Sequence, residues 1–549
     1  MKKDRNKLII TSALTSSLGV FISKLLGIVY VVPITRIIGE TDLVFYTYAY
    51  RIYDFFLTLS IAGLPFAISL VVSRYYTLED YRAVISVKKV AQYLMIFLGV
   101  LSFAILLFFA GPIAKIMNVA ADGEYLRHVK NVLFIVSFAL LIIPTLSSLR
   151  GFQQGTKEFA IPAISMVIEQ VARVVFMLVS AYIIIVVLEK EAILAVYWVV
   201  GSAVFAGFCS LLYMLIAEKK RNKELIKKAE SQASGKLDWK VVLKELVING
   251  LPFVLSFLLA DANNQINLLF FNRAMYSRGH PQDYIKLVDS ILHFSALKLQ
   301  AIPQVLAVGF GIAIIPILTS SLVKKDYSLL RKQANDVLNS CSYIALPIVF
   351  CLAYFNKAFY SVLYGYQNYL IGAEILVWTC INGIANSIFP MLSNIAMATR
   401  LRRKHMLVLV AGLLVKLATT YPLIYVLGYP GAIISSFLST ATVFLLNMYI
   451  ISRTHKINFK AYFFNVFKMV LALGSMFVVA KLAQLLGLNF HYQGQLRDLL
   501  ILAEYGVLTC GTYLVCSYFL KLPQTIFGFN VQTIKNFLKK DKGNRATPE

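Results

Sequence analysis

The sequence predicts an all-α polytopic membrane protein of about fourteen transmembrane helices, arranged as two pseudo-symmetric six-helix lobes followed by two C-terminal helices. Three observations predict it. Of the 549 residues, 59% are hydrophobic and only 15% are charged, with a mean hydropathy of +0.72. Apolar runs of about 20 residues, the length that crosses a hydrocarbon core of about 30 Å, recur along nearly the whole chain. Lys and Arg fall very unevenly between alternate connecting segments. No stretch is left over for a soluble domain of ordinary size.

Taken in order, the candidate spans lie near 8–36, 43–73, 90–113, 129–149, 159–187, 192–217, 245–272, 290–320, 335–355, 370–398, 406–427, 430–452, 463–487 and 498–520. The start, MKKDRNKLII, is basic and then apolar like a signal peptide. It lacks a small-residue cleavage site and stays apolar to about Val32, so it reads as a retained first span. Gly, Pro and charge clusters separate most spans, as in the tight Gly428–Gly431 turn. With the N-terminus inside, 37 Lys and Arg residues fall in inner segments, 10 in outer segments and 6 within spans. This bias places both termini in the cytoplasm.

The domain reading follows from the spans: an N-lobe at 1–217, a basic cytoplasmic loop at 218–244 and a C-lobe at 245–455, then a final helix pair at 456–525 and a cytoplasmic tail at 526–549. A repeat supports the lobes. Arg51 precedes Gly63 of AGLPFAIS by twelve residues, and Lys298 precedes Gly309 of VGFGIAIIP by eleven. Arg173 and Lys416 are offset by 243 residues, close to the 247 between Arg51 and Lys298. Parallel halves of this kind recur among transporters. The loop suits anionic headgroups or simply solvent, and the tail places Val531, Ile534, Phe537 and Leu538 on one helical face. Pro33, Pro65, Pro252, Pro303, Pro316 and Pro347 lie within or at the ends of spans, where they permit kinks.

Composition also excludes. A formal charge of +26 suggests nucleic acid, but here topology accounts for the basic residues, and no nucleic-acid partner is expected. The six cysteines show no CxxC or other metal spacing and fall in apolar runs. The six histidines form no HExxH or comparable cluster, so no metal and no cofactor are expected.

The informative residues are charges inside apolar spans. An ionised group at the centre of a lipid-facing helix costs roughly 2.5–3.5 kcal/mol on insertion scales, so it normally faces protein or a wet cavity. RGFQQGTKEFAIPAISMVIEQVARVV (150–175) reads as a polar turn framed by Gly151 and Gly155, followed by an apolar helix bearing Glu169, Gln170 and Arg173. Lys24, Arg51, Asp54, Asp261, Lys298 and Lys416 repeat the oddity. From the 1.5 Å helical rise, Lys24, Arg51 and Lys298 reach similar heights in the outer half of the membrane. Three cations at one level repel unless an anion or water sits among them, and phosphate is the natural guest for Lys and Arg.

Plainer readings stand beside this. Arg51 with Asp54 (i,i+3) and Glu169 with Arg173 (i,i+4) can be self-neutralised pairs. Lys24 and Lys298 have no such acidic neighbour. Asp261 and Asn264, with Asn263 and Asn267, make an oxygen-rich patch suited to Na+ or a proton, or to hydrogen bonds between helices. Lys481 and Glu504 can pair or snorkel.

The run RGFQQGTKEFAIPAISMVIEQVARV, with GLPFAIS and QAIPQVLAVGFGIAIIP, resembles the MurJ and SpoVB type of polysaccharide-lipid flippases of Gram-positive bacteria, within the multidrug/oligosaccharidyl-lipid/polysaccharide exporter superfamily. The likeness covers essentially the whole chain. It implies two lobes around a cationic cavity, with alternating access carrying the lipid II headgroup and diphosphate from inner to outer leaflet. It also implies a groove for the polyprenyl tail on the last two helices. In the Gram-negative branch, arginines of the first, second and eighth helices line the cavity. Lys24 and Lys298 match two of these positions with Lys for Arg, Tyr30 stands where a further arginine lies, and Arg51 aligns approximately. The expected substrate-binding set is therefore Lys24, Arg51, Lys298, Arg173 and Glu169, with Asp261 and Asn264 for ion coupling. Membrane potential, Na+ and H+ all stay open as the drive. The expected function is a lipid II flippase without catalytic chemistry, acting as a monomer among membrane lipids, with cell-wall synthases as candidate partners. A flippase for another lipid-linked glycan and a drug or cation exporter are the alternatives. A membrane enzyme on lipid-linked sugars ranks last, because the outer loop around Arg273–Asp289 is short and lacks an evident catalytic group.

Overall fold

The computed structural model describes residues 26–527 apart from 28–29, 40, 62–63, 118–122, 233–237, 305–317, 319–321, 323–324, 400 and 493. Among the described residues every regular element is helical and no strand occurs. Among the described residues ten helical stretches are long and apolar enough to cross a membrane, from Tyr81–Ile116 to Gln495–Phe519, and each coincides with an expected span. Of the other four expected spans, 8–36, 43–73 and 290–320 include residues outside the described set, as does most of the tail, whereas 245–272 lies wholly within one helix, Trp239–Ser277.

The chain divides into two compact units. The first joins the described residues up to Lys298 to Leu409–Ser439; the second joins Leu299–Val408 to the chain from Thr440 onward. These units cut the chain at positions other than the edges of the sequence repeat.

In the first unit, α1 (Val31–Ile38), α2 (Leu43–Ile61), α3 (Leu64–Thr77) and α4 (Tyr81–Met117) precede α5 (Gly123–Ser137), α6 (Ala139–Gly155) and α7 (Ala160–Tyr182). A π-helical turn, Ile183–Val187, ends α7 and leads to α8 (Ala192–Glu230) and α9 (Trp239–Ser277). α10 (Gln282–Ser290) runs into a second π turn, Ile291–Ser295. Helix starts carry the expected chemistry: Asp80 accepts from the Ala83 amide and Asp238 from the Lys240 amide, filling donors that a first turn leaves open. α9 packs on α2, α3 and α4, where Val71, Val72, Val84, Met95, Val242 and Leu246 form a dry core.

The loop expected at 218–244 is largely helix. α8 continues to Glu230 and α9 begins at Trp239, because Lys88 pairs with Glu218, Arg82 donates to the Ala229 carbonyl and Gln232 accepts from the Tyr81 amide. Charged residues read as solvated loop thus strap a helical extension to the start of α4.

The second unit holds α11 (Tyr327–Tyr354), α12 (Asn356–Tyr364), α13 (Tyr369–Ala398), α16 (Lys460–Leu485), α17 (Gln495–Phe519) and α18 (Leu522–Phe527). α14 (Arg402–Leu427) and α15 (Tyr429–His455) meet at Gly428, whose φ of +75° suits glycine. A Cβ on Gly431 would stand 2.1 Å from the Leu423 carbonyl oxygen, so the turn expected there closes too tightly for any side chain. Helices α16 and α17 pack on α11 through Met469, Met476, Tyr505 and Tyr513. Their other faces leave Phe467, Val478, Val507 and Val515 exposed, as lipid-facing helices require.

Candidate functional site: buried cations of the first unit

The segment 150–155 is not the polar turn expected from its glycines; it forms the last turns of α6. A Cβ on Gly151 would lie 2.7 Å from the Pro65 carbonyl oxygen, and one on Gly155 would lie 2.6 Å from Val72 Cβ. Glycines four apart present one bare face, which lets α6 touch α3 backbone to backbone. The turn proper is Thr156–Lys157, with Lys157 at φ +64°.

That close contact places Arg150, one residue before Gly151, inside the protein. Its guanidinium donates to Ser165 Oγ (2.9 Å), Ser210 Oγ (3.0 Å) and Glu169 Oε2 (2.8 Å). The other Glu169 oxygen accepts from Arg173 Nη2 at 2.8 Å, and Arg173 Nη1 donates to the Tyr50 hydroxyl at 3.0 Å. Glu169 is therefore shared by two arginines rather than paired with Arg173 alone, and the triad keeps one net positive charge. Such charge-assisted bonds are worth about 1.5–3 kcal/mol each.

α2 distributes its side chains by helical period. Tyr46, Tyr50 and Tyr53 form a column with ring centroids 5.6 and 5.8 Å apart. Tyr30 joins its top, hydroxyl to hydroxyl with Tyr46 at 3.3 Å, and Lys298 Nζ stands 5.7 Å over the Tyr30 ring. A tyrosine ladder thus runs from Lys298 to Arg173. On another face of α2, Arg51 Nη1 lies 3.8 Å from Asp289 Oδ1, a carboxylate that also bonds His293 Nδ1 at 2.6 Å. Asp54 is exposed, so the buried carboxylate beside Arg51 comes from α10 rather than from α2. Asn272 donates to the Tyr48 hydroxyl at 2.8 Å in the same cluster. Lys416 is wholly buried; its ammonium donates to Ser436 Oγ at 2.7 Å, and Asn267 donates to that same oxygen at 3.2 Å. Lys416 has no ion pair among the described residues.

Of the expected site residues, Arg51, Arg173, Glu169 and Lys298 lie in this unit, with Arg173 and Glu169 in direct contact. Lys24 lies outside the described residues, as do the side chains of Asp261 and Asn264. Sequence reasoning passed over Arg150 as a buried group, Asp289 with His293, and the tyrosines of α2. Their signals were present: an arginine abutting GxxxG, an Asp and His four apart at the start of an apolar run, and YTYAYRIY in α2.

A polar pocket of about 350 Å³ opens at the connecting segments, lined by Asp42, Glu124, His128, Glu191 and Lys286 among others. Burial lifts the Asp42 carboxyl above its usual range, opposed by Lys286 and His128. Among the described residues no group of three or more His, Cys, Asp or Glu could hold a metal ion.

Long lipid-facing helices and a cation-rich interior define a polytopic, all-helical membrane protein with the exporter fold. The structure of "Lipid II flippase MurJ, inward closed conformation" matches with a TM-score of 0.65 and 14% identity, over 92% of this chain and 99% of that one. An inward-facing MATE family multidrug transporter of the MOP superfamily matches at 0.62 and 16% identity, over 79% and 96%. The family described as "Polysaccharide biosynthesis protein" matches residues 9–322, more than half of the chain, and the chain belongs to that family. It is 29% identical to the "Lipid II flippase MurJ" of Bacillus subtilis (strain 168) over 533 residues, which is 96% of this chain and 97% of the relative.

Proposed function

We propose that the chain is a lipid II flippase of a bacterial membrane, moving the diphosphate-linked headgroup from inner to outer leaflet while the polyprenyl tail stays in the bilayer. The carrying observation is near full-length similarity to a lipid II flippase, joined to an interior in which five cations (Arg51, Arg150, Arg173, Lys298 and Lys416) stand against the carboxylates of Glu169 and Asp289. The chain acts as a transporter, not as an enzyme. Arg51, Arg173 and Lys298 meet the diphosphate in this reading, with Lys24 beside them. Glu169 holds Arg173 in place, and the tyrosine ladder spaces the cations. Arg suits this task because its planar fork grips phosphate oxygens two at a time. Inward-negative potential favours outward movement of an anion by about 2.3 kcal/mol per charge per 100 mV.

The final helix pair α16 and α17 offers its apolar outer face to the lipid tail. Both termini face the cytoplasm, the protein works as a monomer, and Asp261 and Asn264 remain the proposed ion-coupling pair. Cell-wall synthases are its proposed protein partners. A drug or cation exporter, suggested by the shared fold with MATE transporters, would need acidic walls, and the excess of buried cations speaks against it.

The test is lipid II accessibility in the outer leaflet after depletion of the protein, followed by complementation. Depletion should remove accessible lipid II, and Lys298→Ala, inserted at normal levels, should fail to restore it. Unchanged accessibility on depletion would refute the function; full rescue by Lys298→Ala would remove that residue from it.

A further inference from the structure

The Asp289–His293 cluster is a buried titratable pair with no part in the transport scheme above. Asp289 is 1% exposed, and its carboxylate has two positive or potentially positive neighbours at unequal distance. His293 Nδ1 stands at 2.6 Å and Arg51 Nη1 at 3.8 Å from the same oxygen, Oδ1. Among the described residues, other elements add the Tyr48 hydroxyl beside the carboxylate, Tyr125 behind Tyr48, Asn272, and Phe271 edge-on to the imidazole at 5.8 Å, while the ammonium of Lys416 adds positive charge on the Arg51 side. His293 lies in the π turn Ile291–Ser295, a backbone feature found mostly as single turns and frequently at functional sites.

We propose that Asp289 and His293 form a proton-binding site that fills when an anion engages Arg51. The neutral imidazole keeps its Nδ1 proton on the carboxylate, so an added proton goes to Nε2 and no other bond changes. The positive charge of Arg51 opposes that proton. A diphosphate arriving at Arg51 brings negative charge and cancels the opposition, whether Arg51 stays beside Asp289 or turns toward the guest. In either case the imidazolium and the Asp289 carboxylate then form a neutral pair, and the buried complex carries less net negative charge. By linkage the effect is reciprocal: lower pH tightens headgroup binding, by up to about tenfold per pH unit where about one proton is taken up.

This inference rests on the reading that Arg51 meets the diphosphate, and the experiment separates the two. Lipid II is titrated calorimetrically into the purified full-length chain in detergent, near neutral pH, in HEPES and in Tris, whose ionisation enthalpies differ. The wild type should take up a measurable fraction of a proton per lipid II bound, and binding should tighten from pH 8 to pH 7. His293→Gln should bind with uptake abolished and a flat pH profile, and Asp289→Asn should lower uptake. Binding by the wild type without proton uptake would overturn the proton site alone, as would undiminished uptake in His293→Gln. Failure of the wild type to bind lipid II at all would remove the flippase reading and this site with it.

Discussion

Replacing Glu169 by Gln tests whether the buried triad holds the first unit together. The side chains of Arg150, Glu169 and Arg173 are 11%, 16% and 8% exposed, so water screens them little. Glutamine keeps the shape of glutamate and removes its charge, leaving two guanidiniums facing each other across a neutral amide. Removing one partner of a buried pair costs about 3–5 kcal/mol, because it strands the other charge. The cost is not doubled by the second arginine: Arg150 keeps Ser165 and Ser210, and Arg173 keeps the Tyr50 hydroxyl. Glu169→Gln should therefore lose about 3–5 kcal/mol in an unfolding titration of the purified protein in detergent. Adding Arg150→Gln should return part of it, since neighbours in one network couple by about 0.5–3 kcal/mol. A Glu169→Gln protein within about 0.5 kcal/mol of wild type, the range of an inert surface change, would refute the reasoning.

Other expectations follow from particular contacts. Gly155→Ala would bring a methyl to 2.6 Å from Val72 Cβ and 2.9 Å from the Ser69 carbonyl oxygen and should cost about 1–3 kcal/mol, a loss Val72→Ala should not restore because alanine keeps that Cβ; Gly506→Ala, with nothing within 4 Å, should be neutral or stabilising. Lys416→Met fills a similar volume without a buried ammonium and should raise stability by about 0.5–2 kcal/mol in the same titration. Asp42 has its carboxyl raised by burial. The stability a raised carboxyl contributes is present below its unfolded value and lost as pH rises through the folded one. Asp42→Asn should thus melt higher than wild type at pH 7, and the gap should close on acidification through the carboxylate range.

The helical class and ten of the spans were legible because apolar runs of membrane length have few other uses. Lys416 and Arg173 were legible as residues that must face protein. Which carboxylate stands near which cation was not legible, because pairing is set by packing. Arg51 has Asp54 one turn away, yet a buried carboxylate stands beside it from α10. Glu169 was visible as one partner of Arg173, but its second partner came from a residue counted as loop. The glycines of RGFQQG signalled a turn, since glycine serves turns and close helix contacts alike, and only the neighbouring helix decides between them. The basic stretch at the end of α8 read as solvent-facing loop because the residues that strap it, Arg82 and Lys88, lie 147 and 130 positions before their partners Ala229 and Glu218.

The bare face formed by Gly151 and Gly155 has a mechanical consequence. Sliding α6 by one residue would bring Arg150 or Phe152 against the Pro65 carbonyl, so the two helices have a single workable alignment. They must travel as one rod, and Arg150, fixed beside that seam, keeps its depth relative to α3 in whatever posture the lobe adopts. Any conformational cycle therefore has to bend or part elsewhere, and an inhibitor aimed at this seam would find no gap to enter.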